Sequence, residues 1–249
     1  MENRVKNTSS VIKEFSRFAK VYDTYHIIQS EVAETLISKL PLKLYSTIVD
    51  VGAGSGNIYQ KLISKGILFD HFIAIDSSVE MLEIHPEDAC IDKICADFNN
   101  ARICTAVDTI RSETLLLSSS ALQWSGDLDF TLSSLSEFSE QAFFAIFTSN
   151  TFKTLHNTAG ITSPIHNEKA LKKAIDRHYD ASYELRQYKL YFDSSQEMFR
   201  YIKKSGVSSG KKRLGYKEIK ALMKCYPLDY LEFEVLFVEA KNRVGQPTF

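Results

Sequence analysis

Cysteine is scarce in this chain of 249 residues. Four are present, Cys90, Cys95, Cys104 and Cys225, and their spacing is uneven. They fit reduced thiols in a cytoplasm better than a disulfide framework. Cys90 and Cys95 do not continue into a four-ligand zinc pattern, so no metal is expected. Apolar runs are short as well. The longest is about one strand long, too little to cross a bilayer. Residues 1–10 lack the apolar core of a secretory signal. Charge of one sign is missing too: thirty Lys and Arg stand against thirty-one Asp and Glu, for a net charge of −1. A globally basic nucleic-acid binder is thereby disfavoured, though a local basic patch is not. No repeat, low-complexity stretch or interdomain linker stands out. With 44% apolar and 24% charged residues, the composition is that of an ordinary globular chain. One unit spanning 1–249 is expected, acting as a monomer.

Helical and strand-like stretches alternate along the chain. Residues 11–40 read as a long amphipathic helix ended by Pro41. Residues 47–51 form a β-branched strand that runs into glycines. A helix follows from Asn57 to Lys65, with Gly66 as its stop. Further strands are read at 72–76, 114–118 and 142–147. The last is apolar on both faces and therefore buried. Residues 151–187 read as a mostly helical insertion, and 188–192 and 231–238 as late antiparallel strands at the sheet edge. The expected fold is α/β: a mainly parallel sheet with helices on both faces.

The sharpest local signal is Asp50-Val51-Gly52-Ala53-Gly54-Ser55-Gly56, between a strand and a helix. Glycines there permit positive φ and close approach of a ligand to the backbone. The dinucleotide fingerprint G-x-G-x-x-G would need a third glycine at 57, where Asn57 stands, so a nicotinamide cofactor fits poorly. Asp76 ends the next strand, where a carboxylate can accept hydrogen bonds from both hydroxyls of a ribose. Asp97-Phe98 follows in the next loop. An acid and an aromatic there could bond an exocyclic amine and flank an adenine. These features in this order resemble a Rossmann-like class I S-adenosylmethionine-dependent methyltransferase.

Two more stretches narrow the resemblance. Phe15, Ala19 and Tyr22 follow the pattern F-x-x-x-A-x-x-Y, and Ala121-Leu122-Gln123-Trp124 follows the fourth strand. Both resemble the BioC family, malonyl-acyl-carrier-protein O-methyltransferases of biotin synthesis, over residues 12–240. The resemblance implies S-adenosylmethionine as cofactor, S-adenosylhomocysteine as product, and malonyl-acyl carrier protein as substrate. It implies cofactor contacts from Gln29, Asp50, Gly52, Gly54, Asp76, Ser77, Met81, Asp97, Phe98 and Ser118. It assigns Tyr22, on an N-terminal lid helix, to the catalytic step, and Gln123, Trp124 and His156 to the substrate.

Read without the family, positions 15, 18, 22, 25, 29, 32 and 36 form one helical stripe. Six are apolar or aromatic, so a packing face explains them. Gln29 is the exception and needs a polar partner if buried. Trp124, the single tryptophan, reads equally as core. The chain also departs from the family. Ser119 replaces an asparagine. Residues 148–157 lack the family's glycine, proline and glutamate after the fifth strand. A family arginine falls at about Pro164. Lys153, His156 and His166 are the substitutes at hand for holding a substrate carboxylate.

No Ser-His-Asp or Cys-His arrangement is evident. None is required if the nucleophile is a carboxylate, which is ionised at neutral pH because such groups titrate near ~4. Residues 203–224 hold eight basic residues and one acid. Lys203, Lys204, Lys211, Lys212 and Arg213 lead this patch, which suits an acidic carrier protein or RNA; a solvated lysine-rich face is the plainer alternative. Other readings stay open: methylation of another small molecule or RNA, or cofactor binding without catalysis.

Overall fold

A computed structural model describes residues 26–100, 103, 111–204 and 216–243 of the chain. The 11–25 part of the expected 11–40 lid helix, with Tyr22, and Lys211, Lys212 and Arg213 lie outside the described residues. So do the side chains of Lys203 and Lys204.

Seven strands join one sheet: β1 (Leu44–Val51), β2 (Leu68–Asp76), β3 (Ile91–Cys95), β4 (Thr114–Ser119), β5 (Gln141–Phe147), β6 (Tyr179–Tyr191) and β7 (Tyr230–Asn242). Their order is β3-β2-β1-β4-β5-β7-β6. β1 to β5 pair in parallel, and β7 runs antiparallel to both of its neighbours. The helices among the described residues are α1 (Ile27–Ser38), α2 (Asn57–Ser64), α3 (Val79–Ile84), α4 (Leu128–Ser136), α5 (Lys153–Ala159), α6 (Glu168–His178), α7 (Ser195–Lys204) and α8 (Tyr216–Cys225). None is long and apolar enough to cross a membrane.

Each sheet face carries its own core. On one, Ile48, Leu115, Leu117, Phe143 and Phe237 meet Val32 and Leu36 of α1 and Ile58 and Leu62 of α2. On the other, Val49, Leu116, Phe144 and Leu236 meet Leu132 and Leu135 of α4 and Leu171 and Ile175 of α6. β5 is buried along nearly its whole length, as an apolar run on both faces requires. Burying a side chain of this size contributes about 1.5–3 kcal/mol, so the sheet–helix interfaces set the fold. The α1 portion of the predicted stripe turns inward: Val32 and Leu36 are fully buried. The helix stops just before Pro41, as a residue without an N–H requires.

Three expectations change. The 151–187 segment is not mostly helical to its end, because β6 occupies 179–191. Its charged, weakly alternating sequence hides a strand that β7 supports along its whole length, from Tyr179↔Asn242 to Tyr191↔Tyr230. β3 was not expected. It is an edge strand of five residues, too short and too polar for a periodic signal. β1 and β2 begin earlier than read, at Leu44 and Leu68, which pair with each other.

Candidate functional site

Strand order reverses between β1 and β4, and ligands bind beyond the carboxyl ends of strands at such a switch point in open α/β sheets. A cavity of roughly 940 Å³, mouth included, opens there. Small-molecule sites span about 300–1,000 Å³. It has two walls and a roof.

The first wall is the glycine loop. Gly52, Gly54 and Gly56 have φ of 78°, 54° and 88°, the region glycine enters without penalty. The Gly52 and Ala53 amides both donate to the Ile75 carbonyl (2.8 and 3.0 Å), which staples the loop to β2. Gly52 has a second reason to lack a side chain: a Cβ there would stand 2.2 Å from Ala121 Cβ. Asp76 ends β2. One carboxylate oxygen accepts from the Gly54 amide and the other from the Ser78 amide, both at 2.9 Å. Each oxygen keeps lone-pair capacity for a further donor. Ser77 and Ser78 follow, and Met81 on α3 lies beneath. Asp97 and Phe98 close this side after β3.

The second wall is the turn after β4, formed by Ser119, Ser120, Ala121 and Trp124. Ser118 lies behind it. Its hydroxyl donates to the Val51 carbonyl at 2.6 Å and ties β4 to the end of β1. The roof is α1, which contributes Gln29 and Ala33.

The walls are joined by Asn99, a residue the sequence reading missed. Its amide donates to Asp97 (3.0 Å), and its oxygen accepts the Gly126 amide (2.8 Å). Ser120 was missed as well. It holds φ of 61° without being glycine, and nothing in its residue type announces that conformation. An asparagine two residues after an aspartate does signal a local turn, so Asn99 was within reach.

The electrostatics are acidic. Among the described residues, those lining the cavity include Asp76 and Asp97 and no cation. Asp50 lies behind the glycine loop, fully buried, with neither carboxylate oxygen hydrogen-bonded. Burial, and next the charge of Asp76, pushes its carboxyl well above the usual carboxylate range. Asp76 is raised too, by burial first; the amides of Ser78, Gly54 and Ser77 oppose the rise, and the charge of Asp97 adds to it. Such a site favours a cationic ligand. Polar atoms without partners lie behind the opposite wall: the hydroxyls of Ser119 and Ser120.

Of the expected residues, the structure brings Gln29, Gly52, Gly54, Asp76, Ser77, Met81, Asp97, Phe98 and Trp124 to the cavity. Asp50 and Ser118 stand behind its first and second walls. Gln123 and His156 do not line it. Gln123 is 5% exposed and its amide donates to the Ser120 carbonyl at 2.5 Å. His156 packs edge-on against Phe152, because α5 turns that face into the core; burial depresses its basicity. Lys153 is exposed on α5. His166 Nε2 lies 2.9 Å from the Ser125 carbonyl, so the insertion is fastened to the turn that bears Trp124. Among the described residues no group of His, Cys, Asp and Glu could hold a metal ion.

This architecture is the class I methyltransferase fold. The YcgJ protein of Bacillus subtilis superposes with a TM-score of 0.61 at 10% identity, over 85% of this chain and 98% of its own. A methyltransferase of an antibiotic biosynthesis pathway from Anabaena variabilis gives 0.57 at 14%, over 85% and 96%. The phosphoethanolamine N-methyltransferase of Haemonchus contortus, solved with S-adenosyl-L-methionine, gives 0.54 at 12%, over 90% and 56%. No protein-family profile matches the chain.

In sequence, the chain is similar to malonyl-[acyl-carrier protein] O-methyltransferases. That of Priestia megaterium is 28% identical over 160 residues, 61% of this chain and 56% of the relative. That of Marinomonas is 31% identical over 121 residues, 45% and 41%. That of Acetivibrio thermocellus is 30% identical over 150 residues, 57% and 50%. The chain thus spans about half the length of the curated relatives it matches.

Proposed function

We propose that the protein is an S-adenosylmethionine-dependent methyltransferase whose acceptor is the free carboxylate of malonyl-acyl carrier protein. The observation that carries the cofactor half is the cavity between Gly52, Asp76 and Asp97-Phe98. Asp76 accepts the ribose hydroxyls, Asp97 and Phe98 bond and flank the adenine, and the loop amides leave room for the ligand backbone. The sulfonium is a cation, and Asp50 and Asp76 are acids whose carboxyls burial raises above the usual carboxylate range. Its arrival stabilises their ionised forms, which makes recognition of the cationic cofactor stronger than that of its neutral thioether product.

Methyl transfer from a sulfonium is an in-line displacement. The acceptor oxygen forms a bond to the methyl carbon as the carbon–sulfur bond breaks and its electron pair stays on sulfur. A carboxylate nucleophile needs no general base. The protein's work is to align donor and acceptor and to exclude water. Trp124 and Tyr22 serve that exclusion. Gln29, Ser119 and Ser120 are the neutral polar residues of the lining around the bound pair. His166, fastened beside Trp124, is the one of the three substitute side chains set near the acceptor's path. The basic 203–224 stretch attracts the acidic carrier.

The acceptor half is supported by the names of the relatives and by Ala121-Leu122-Gln123-Trp124. A second reading is favoured by the acidic lining: an acceptor that is not an anion. The test is transfer of a labelled methyl group from S-adenosylmethionine to malonyl-acyl carrier protein, malonyl-CoA and neutral acceptors. Label in the malonyl carrier protein supports the first reading. Cofactor binding with label only in neutral acceptors supports the second. No cofactor binding at all refutes both.

A further inference from the structure

Gln123 was expected to touch substrate, yet it is buried and does not line the cavity. Its single hydrogen bond, from Nε2 to the Ser120 carbonyl at 2.5 Å, gives it a different task. Only the amide nitrogen can face a carbonyl oxygen at that distance, because two oxygens would repel; this fixes which way the amide points. Its Oε1 is buried without a partner. The side chain therefore gives up an acceptor bond to make this donor bond.

The residue it reaches is the strained one. Ser120 holds φ of 61°, a conformation that side chains other than glycine rarely adopt and that persists only where surroundings impose it. Two contacts impose it here. The Ser120 amide donates to the Ala145 carbonyl at 2.8 Å, and the Ser120 carbonyl is held by Gln123. The next residue, Ala121, is fixed against Gly52. The result is a turn whose residues Ser119 and Ser120 line the cavity while their hydroxyls are buried behind it without partners.

We infer that Gln123 is a positioning residue: its amide clamps Ser120 in the left-handed conformation and so holds the Ser119–Ala121 turn as the wall against which the bound molecule packs. The choice of probe rests on the cofactor reading above; the clamp itself does not. Gln123 acts on binding through the backbone of Ser120, and removing the strain removes the need for it.

A double-mutant cycle tests this, with wild type, Gln123→Leu, Ser120→Gly and the double variant. Binding of S-adenosylhomocysteine is followed by calorimetry and unfolding by denaturant. Gln123→Leu alone weakens binding about tenfold. In the Ser120→Gly background, where left-handed φ carries no penalty, the same change weakens it less than twofold. Ser120→Ala, which keeps the strain and the carbonyl that Gln123 holds, leaves binding within about twofold of wild type. Equal losses from Gln123→Leu in both backgrounds overturn the inference, because a residue touching ligand directly does not depend on residue 120. An unchanged affinity in Gln123→Leu overturns it as well. If wild type fails to bind the probe, the cofactor reading falls, and the unfolding cycle still decides the clamp: additive stability losses refute it.

Discussion

The half of the sheet built by β1, β2 and β3 and the half built by β4 to β7 solve their tasks with different materials. The first meets the cavity with backbone: Gly52 and Gly54 in left-handed conformation, loop amides stapled to Ile75, and the Asp76 carboxylate at the end of β2. The second meets it with neutral side chains on turns, held from behind by Ser118, Gln123 and Asn99. Further out, the segment after β5 is anchored by two carboxylates of β7, the buried Glu234 and the half-buried Glu232. Glu234 accepts from Thr148 (2.6 Å) and Asn150 (2.9 Å), and Glu232 from the Thr154 amide and hydroxyl (2.9 and 2.8 Å). A wall made of backbone serves a ligand that does not vary. A wall made of side chains can be changed residue by residue, and this is where the chain departs from the motifs it resembles.

The contrast can be broken most forcefully at Gly52. Gly52→Val places a branched side chain at positive φ and against Ala121. Binding of S-adenosylhomocysteine is expected to vanish in calorimetry, with stability falling by about 4 kcal/mol or more in denaturant unfolding. Asp76→Ala keeps the fold but loses two amide anchors and the ribose acceptor. Affinity should drop about 100-fold, the equivalent of ~2.7 kcal/mol; full affinity in this variant removes the ribose assignment. Glu234→Ala attacks the other half. It leaves Thr148 and Asn150 without their acceptor and should lower stability by about 2 kcal/mol, while affinity for the cofactor product stays within about twofold. A large loss of that affinity would show that the halves are coupled.

The smallest effect sharpens the comparison rather than breaking it. Asp50 and Asp76 have carboxyls raised by burial, so the empty native state binds more protons than the unfolded chain. Stability of the ligand-free protein should decline as pH rises from the ordinary carboxylate range through the raised values. Affinity for S-adenosylmethionine should follow the opposite course, falling as pH is lowered through the same window, and falling less for the neutral product. Asp50→Asn should raise the unfolding temperature of the ligand-free protein by about 2–4 °C, the shift ~1 kcal/mol gives at this size. It should also flatten the pH dependence of cofactor binding, as titrations at several pH values will show.

The two halves also differed in how much their residues disclosed. The Gly52–Gly56 loop, Asp76 and Asp97-Phe98 were legible because backbone solutions leave signatures: glycine where φ is positive, an acid where a strand ends. β5 was legible because burial on both faces demands an unbroken apolar run. β6 was not, since its support comes from β7, some fifty residues later, and its outward residues are charged. β3 was too short for any period to register. Ser120 carries no signal, because its conformation is imposed by Gln123 and Ala145 from outside its own sequence neighbourhood. Gln123 and Ser118 were picked out as contact residues although they act at one remove, for a motif marks which residues matter and not which of them face inward.

The reversed direction of β7 has a consequence for traffic around the molecule. In an all-parallel edge, the stretch leaving β6 would have to travel to the opposite rim before the last strand could begin. Here Tyr191 and Tyr230 are partners, so the 192–229 excursion departs from and returns to the end of the sheet on which β1, β2 and β4 finish, beyond the last β5–β7 pair, Phe147↔Val235. An excursion anchored this way serves the end of the sheet that bears the cavity, not the far end.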